Sequence, residues 1–382
     1  MSKYLIACDS FKECLSSSAV ADALEKGLLE ADPTCTVVKL HVADGGEGTV
    51  EALRKASSHR TGFWRERSVE VSDPLGRPVK AIYGIVGGRA MIETASACGL
   101  ALLKPDERNP LLTSSYGLGQ MISDALSQGC RQILVGLGGS ATNDAGTGML
   151  EALGYRFRDA GGNIVHGTGS ALSSIISIDD SQVCPEVRQA RFTIACDVDN
   201  PLYGPDGAAY VFAPQKGADE EMVRVLDHGL RHFAVILGSY RASIGKDGSV
   251  QEMRGSGAAG GLGAAFMAVL GATARRGIDL VLDEADFDML LDDVTMVITG
   301  EGHIDSQTLS GKVPFGVLSR CKGSGIPVVG VCGRLDEEQT LRAAGFADLL
   351  QISDPAAPLS VQMDPDLTAQ RLASRIRSYI LS

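Results

Sequence analysis

Five apolar runs in this chain end in side chains that can bind a charged group or move a proton. Residues 4–8 lead into Asp9, Ser10, Phe11 and Lys12, and residues 37–42 lead into Asp44 and Glu47 among three glycines. Residues 191–195 lead into Asp197 and Asn200, the run at 210–213 leads to Lys216, and residues 293–299 lead into Glu301, Asp305 and Lys312. Carboxylates close together can hold Mg²⁺ through oxygen ligands or accept a hydroxyl proton, and lysines neutralise phosphate or carboxylate charge. Each group also has a plainer use. Asp9 and Ser10 can form a turn, Asp44 can cap a helix with Glu47 complementing its dipole, and Asn200 before Pro201 is a common turn pair.

A second kind of signal is the loop from Gly136 to Gly148. Residues 132–135 favour a strand, residues 149–153 favour a helix, and glycines with small hydroxyl residues lie between them. Glycines let the backbone approach a bound group, and the free N–H groups of a helix start point at an anion, so a phosphate fits this order. Gly136, Gly138, Gly139, Ser140, Thr142 and Asn143 are the candidate phosphate contacts here, with Gly257 and Gly260 in a second glycine-rich segment. Gly136-x-Gly138-x-x-Ala141 also satisfies the loose dinucleotide fingerprint, but so does the run from Gly255 to Gly260, as a chain with 46 glycines will do by chance. A nicotinamide site would further require an acidic residue at the end of the next strand, whereas Asp159 falls in an expected hairpin. Gly311-Lys312 resembles the end of a nucleotide loop, yet position 306, where that motif requires glycine, is serine.

The elements that would carry these groups are strands alternating with helices, and polar groups at the carboxyl ends of parallel strands are where such sheets bind ligands. From residue 69 to 93 the pattern changes to short strands joined by turn residues, the signature of an antiparallel meander. A helix is expected at 116–128, and a buried helix from about Ala258. Further parallel strands are expected at 328–332 and 349–352. His228 and His232 share a helix face without the glutamate or third ligand of a zinc motif, so they are expected to pack or face solvent.

At 382 residues the chain exceeds what one core ordinarily serves, so two domains are expected. A formal charge of −12 with no basic stripe argues against nucleic acid, and no segment is apolar enough to read as a membrane span. Nine scattered cysteines without a Cys-x-x-Cys pair, and a start that enters a strand directly, read as a reduced cytoplasmic protein whose cysteines are small buried hydrophobes. Self-association stays open.

With these residues in view the chain resembles the type I glycerate kinase family. The matching blocks are Asp9 to Lys12, Ala43 to Thr49, Gly136 to Asp144, Cys196 to Leu202, Pro214 to Ala218, Gly255 to Ala265 and Thr299 to Pro314, in order along the chain. The resemblance implies an α/β fold: a flavodoxin-like parallel domain from 1–70 and 293–382, a mixed α/β domain inserted at 71–292, and an active site in the cleft between them. Residues 100–150 could belong to either. It also implies transfer of the γ-phosphoryl group of ATP to D-glycerate with Mg²⁺, usually giving 2-phosphoglycerate. The alternatives are the 3-hydroxyl, another small hydroxy acid, a non-catalytic binding protein and, most distantly, a nicotinamide oxidoreductase. The chemistry of phosphoryl transfer then suggests roles: Asp197 as base with Lys312 and Lys12 as catalytic cations; Asp9, Ser10, Asn200 and Lys216 for substrate; Asp44, Glu47, Glu301 and Asp305 for metal.

Overall fold

The computed structural model describes residues 1–11, 14–43, 49–56, 64–246, 248–354 and 356–382. The chain divides into two compact units, one of Met1–Asp44, Glu51–Arg60 and Arg276–Ser382, the other of Gly45–Val50 and Thr61–Arg275. Residues 100–150 fall in the second unit. The strand Arg65–Ser72, short of the expected border at 70, belongs there because all of it pairs antiparallel with Pro78–Val86. Helix Gly277–Glu284, expected in the insertion, belongs to the first unit, where Ile278 packs against Gly316.

The first unit is built on a wholly parallel sheet in the spatial order Asp348–Gln351, Val328–Leu335, Met296–Ile304, Lys3–Cys8, Thr36–Lys39. Counted along the chain that order is 2-1-3-4-5, the flavodoxin-like arrangement. Lys3–Cys8 is buried from Tyr4 onward, as a central strand covered on both faces must be, and its letters accordingly show no polar alternation. Helix Ser17–Ala31, capped by the Ser16 hydroxyl accepting from Ala19 N, crosses helix Pro365–Leu381 at Gly27. A Cβ at Gly27 would lie 2.2 Å from the carbonyl oxygen of Ala373, so the backbones meet as closely as they do only without a side chain. Strand Met296–Ile304 runs five residues beyond the Thr299 at which the sequence pattern ends it. Glu301 and His303 therefore stand on a strand and not on a loop.

The second unit holds a six-stranded mixed sheet in the order Thr273–Arg275, Arg191–Ala195, Gln132–Gly136, Arg89–Glu93, Pro78–Val86, Arg65–Ser72. Its first four strands are parallel, and the last three make the expected antiparallel meander. A small sheet carries the hairpin in which Asp159 sits, its carboxylate accepting from the backbone of Gly161 and Asn163 at 2.9 Å each. That carboxylate is a turn cap, not a ribose ligand. Helix Glu220–Ser243 buries Leu226, Leu230, Phe233 and Leu237 at helical spacing; His228 is exposed, and His232 packs with Nε2 2.7 Å from the Ile175 carbonyl. The run at 210–213, with its polar end at Lys216, is a short helix Ala208–Phe212 followed by a 3₁₀ turn Pro214–Lys216. Six of the nine cysteines are buried. Among the described residues no helix is long and apolar enough to cross a membrane.

Candidate active site

In the first unit the chain leaves strand Lys3–Cys8 toward one edge of the sheet and strand Met296–Ile304 toward the other. At the carboxyl ends of this reversal lies a cavity of about 400 Å³. Its polar side is lined by Asp9, Ser10, Glu301, His303, Lys312 and Arg334. The ladder sets this up: Asp9 N donates to Gly300 O at 2.8 Å, and Ser10 N donates to Asp9 Oδ1 at 2.7 Å, so both side chains begin where the strand ends. Glu301 accepts from Thr308 Oγ1 at 2.6 Å and stands 3.3 Å from Lys312 Nζ. Burial pushes its carboxyl up, against the opposing pull of the Thr308 hydroxyl and the Lys312 ammonium. His303 Nε2 and Arg334 Nε meet Asp336 Oδ2 at 2.8 and 2.9 Å, an arrangement that holds the guanidinium beside the cavity.

Asp305 is placed differently. Its carboxylate accepts from Gln307 N at 2.9 Å and Thr308 N at 3.3 Å, capping the short helix Ser306–Ser310, and it is not among the cavity's lining. Among the described residues no group of three or more His, Cys, Asp or Glu could hold a metal on its own. Lys12, Asp44 and Glu47 lie outside the described residues.

In the glycine loop of the second unit a side chain of the loop itself takes the N–H groups near the helix start. Asp144 is fully buried, and its carboxylate accepts from Gly146 N, Gly148 N, Ser115 N and Ser115 Oγ at 3.0, 3.2, 2.8 and 2.7 Å. The N–H groups that open helix Thr147–Ala152 are thus turned on a side chain of the same loop. Burial pushes this carboxyl up while those hydrogen bonds pull it down. Lys216, 2% exposed, sends Nζ to Ser140 Oγ at 2.9 Å and to Thr142 O at 2.7 Å. Desolvation lowers the pKa of this ammonium to about 7, with the Asp144 charge opposing the fall.

The remaining loop candidates lie in the same unit. Gly136 ends its strand, Gly138 and Gly139 follow, and Gly139 has a φ of 72° that a residue with a side chain rarely adopts. Thr142 Oγ1 and both amide atoms of Asn143 are buried and find no hydrogen-bond partner among the described residues. Gly257 and Gly260 are glycines of close approach: a Cβ at Gly257 would lie 2.1 Å from Pro201 O, and one at Gly260 2.0 Å from Thr142 O. At the end of strand Arg191–Ala195, Asp197 is exposed, and Asn200 Nδ2 donates to Asp206 O at 2.8 Å. The structure therefore brings Asp9, Ser10, Glu301 and Lys312 together, and separately Ser140, Thr142 and Lys216.

Sequence reasoning passed over Arg334, Thr308 and Asp144. Arg334 carried the same sign as the others, a polar residue where an apolar strand pattern ends. Asp144 ends the matching block Gly136 to Asp144 without an assigned role, and nothing local shows that its carboxylate folds back onto its own loop.

Comparison with known proteins agrees with the resemblance. The profile of the glycerate kinase family matches residues 4–380. A glycerate kinase of Bacillus subtilis (strain 168) is 44% identical over 362 residues, 94% of this chain and 92% of that one. A glycerate 2-kinase of Escherichia coli (strain K12) is 45% identical over 338 residues, 88% of this chain and 86% of its own. The crystal structure of a candidate glycerate kinase 2 from Salmonella typhimurium LT2, 42% identical, aligns with a TM-score of 0.83 over 99% of this chain and 97% of that one.

Proposed function

Since the chain belongs to the glycerate kinase family, we propose that it transfers the γ-phosphoryl group of ATP to the 2-hydroxyl of D-glycerate with Mg²⁺. The observation that carries this reading is a family match that spans residues 4–380 without leaving out either unit. The 2-position is supported by the description of the Escherichia coli relative. Buried cysteines and the acidic charge are in keeping with the reducing cytoplasm.

Phosphoryl transfer asks a protein for positioning, neutralisation of phosphate charge and a group to take the hydroxyl proton. Lys312 and Arg334 supply positive charge in the cavity of the first unit, with Lys12 as a further cation of the same segment as Asp9. Mg²⁺ ordinarily keeps several waters and takes one or two carboxylates together with substrate phosphates. Asp9 and Glu301, both lining that cavity, fit this requirement, and bound Mg²⁺ would offset the charge of the phosphates. Asp305, engaged as a helix cap, supports Thr308 and through it Glu301. Asp197 is the base for the glycerate hydroxyl, with Asn200 fixing its loop. Lys216 positions the glycine loop, because Ser140 and Thr142 already take its ammonium.

The reaction is tested by ADP release with D-glycerate and Mg²⁺ and by ³¹P NMR of the product, which separates a 2-phosphate from a 3-phosphate. Absence of ADP release across a series of small hydroxy acids would remove the kinase reading. Within it, Lys312→Ala is expected to lower kcat by about 10²–10³, the usual effect of removing one charge-stabilising group from a transition state. Unchanged kcat and KM for ATP in this variant would make Lys312 a partner of Glu301 only.

A further inference from the structure

The cavity of the first unit is much larger than a three-carbon acid requires. At about 400 Å³ it falls in the range of sites that enclose whole cofactors or drug-sized ligands. Its lining is also of two kinds. Lys312 comes from the segment that follows strand Met296–Ile304 and Arg334 from the end of strand Val328–Leu335, whereas an apolar wall of Phe11, Leu359 and Met363 comes from elsewhere in the chain. Leu359, on the short helix Leu359–Gln362, is 73% exposed, a large hydrophobe left beside a cavity. Gly302 and Gly333, on neighbouring strands, also line the cavity and add no side chain to it. A Cβ at Gly333 would lie 2.8 Å from Gly302 O, so this part of the surface is bare backbone. A small hydroxy acid offers nothing for an apolar wall to hold. A nucleoside triphosphate offers a flat ring for that wall and a polyphosphate for the cations, and the reversal point of a 2-1-3-4-5 sheet is where such folds take phosphorylated ligands.

We infer that this cavity is the nucleotide site, with the base against Phe11, Leu359 and Met363 and the polyphosphate toward Lys312 and Arg334. The inference rests on the glycerate kinase reading for the identity of its ligand class, and it assigns the cavity to ATP in preference to glycerate. It also moves Asp9 and Ser10 from the acid substrate to the phosphate end of the nucleotide.

The test is a fluorescence titration of the full chain with the N-methylanthraniloyl derivative of ATP and Mg²⁺, without glycerate, on the wild type, Leu359→Glu, Met363→Glu and a control, Met289→Glu. Met289 is 72% exposed and outside the cavity, so the control adds the same charge without touching the site. Leu359→Glu alters an exposed position, so its fold is expected to survive, which the melting temperature without ligand checks. The expected result is a Kd raised at least tenfold in both wall variants and unchanged in the control, with KM for ATP following Kd and KM for glycerate constant. A tenfold rise in KM for glycerate with nucleotide affinity kept would overturn the inference, as would a wild type that does not bind the probe. If the wild type binds the probe and the wall variants lose it while no hydroxy acid is phosphorylated, the nucleotide site stands and the glycerate reading alone falls.

Discussion

Asp197→Asn is expected to keep the fold and the affinity for ATP while kcat falls by about 10²–10⁴, the range associated with loss of a general base. The residue follows strand Arg191–Ala195 directly, and its side chain is exposed at the carboxyl end of the second unit's sheet. Its loop is pinned on both sides: Gly257 N donates to Asn200 O at 2.9 Å, Asn200 Nδ2 holds Asp206 O, and Arg254 pairs with Asp199. A pinned loop keeps its carboxylate in a fixed position, which proton transfer to it requires, and asparagine retains the shape while losing the basic oxygen. Steady-state kinetics with both substrates varied, together with circular dichroism, decide the matter. Loss of Mg²⁺ dependence or of ATP affinity with kcat retained would move Asp197 to the metal and leave the base to Asp44.

Lys216→Met is expected to destabilise the protein by about 1–3 kcal/mol at pH 8, since two buried oxygens, Ser140 Oγ and Thr142 O, lose their donor. The pH dependence gives a sharper test. Burial lowers the folded lysine to about 7, while in the unfolded chain it keeps its proton up to the ordinary lysine value of 10.5. Between those values the unfolded state holds more protons, so stability rises with pH; below about 7 both states are charged and the full desolvation cost persists. The slope from this one group approaches about 1.4 kcal/mol per pH unit. Urea unfolding of wild type and variant from pH 6 to 9 should show their difference widening with pH. Parallel curves would mean that the lysine titrates alike in folded and unfolded chains.

How much of this was legible beforehand depends on what each residue answers to. The parallel strands Lys3–Cys8 and Val328–Leu335 carry unbroken apolar runs at 4–8 and 328–332 because both faces are covered there, and that pattern is local, so the ends of those runs and their polar groups could be read directly. The extension of Met296–Ile304 through Gly300, Glu301 and Gly302 could not. Glycines and a glutamate have no strand preference of their own, and the residues are held in the ladder by partners near 330, Glu301 opposite Cys332 and His303 opposite Arg334. That Asp144 takes the N–H groups of Gly146 and Gly148 was not legible, because a strand, glycines and a helix start look alike whether or not a carboxylate of the loop folds back onto them. Lysines at strand ends were equally ambiguous. Lys312 borders a cavity and Lys216 is sealed in the interior, a difference made by the segments packed over each.

The pairing of Tyr4 with Met296 has a consequence for how the protein is made. The first strand leaves the ribosome early, yet one of its two neighbours is not synthesised until nearly three hundred residues later. At about 5–20 residues per second that interval is on the order of a quarter of a minute to one minute. The inserted unit, whose strands all lie within Arg65–Arg275, has its whole sequence available first. An apolar central strand waits meanwhile with an open edge, the kind of surface that chaperones cover and that aggregation exploits. Because its closing contacts are so distant in sequence, the first unit is also the one whose formation should be slow. A chain cut short before Met296 would leave Lys3–Cys8 permanently without that neighbour.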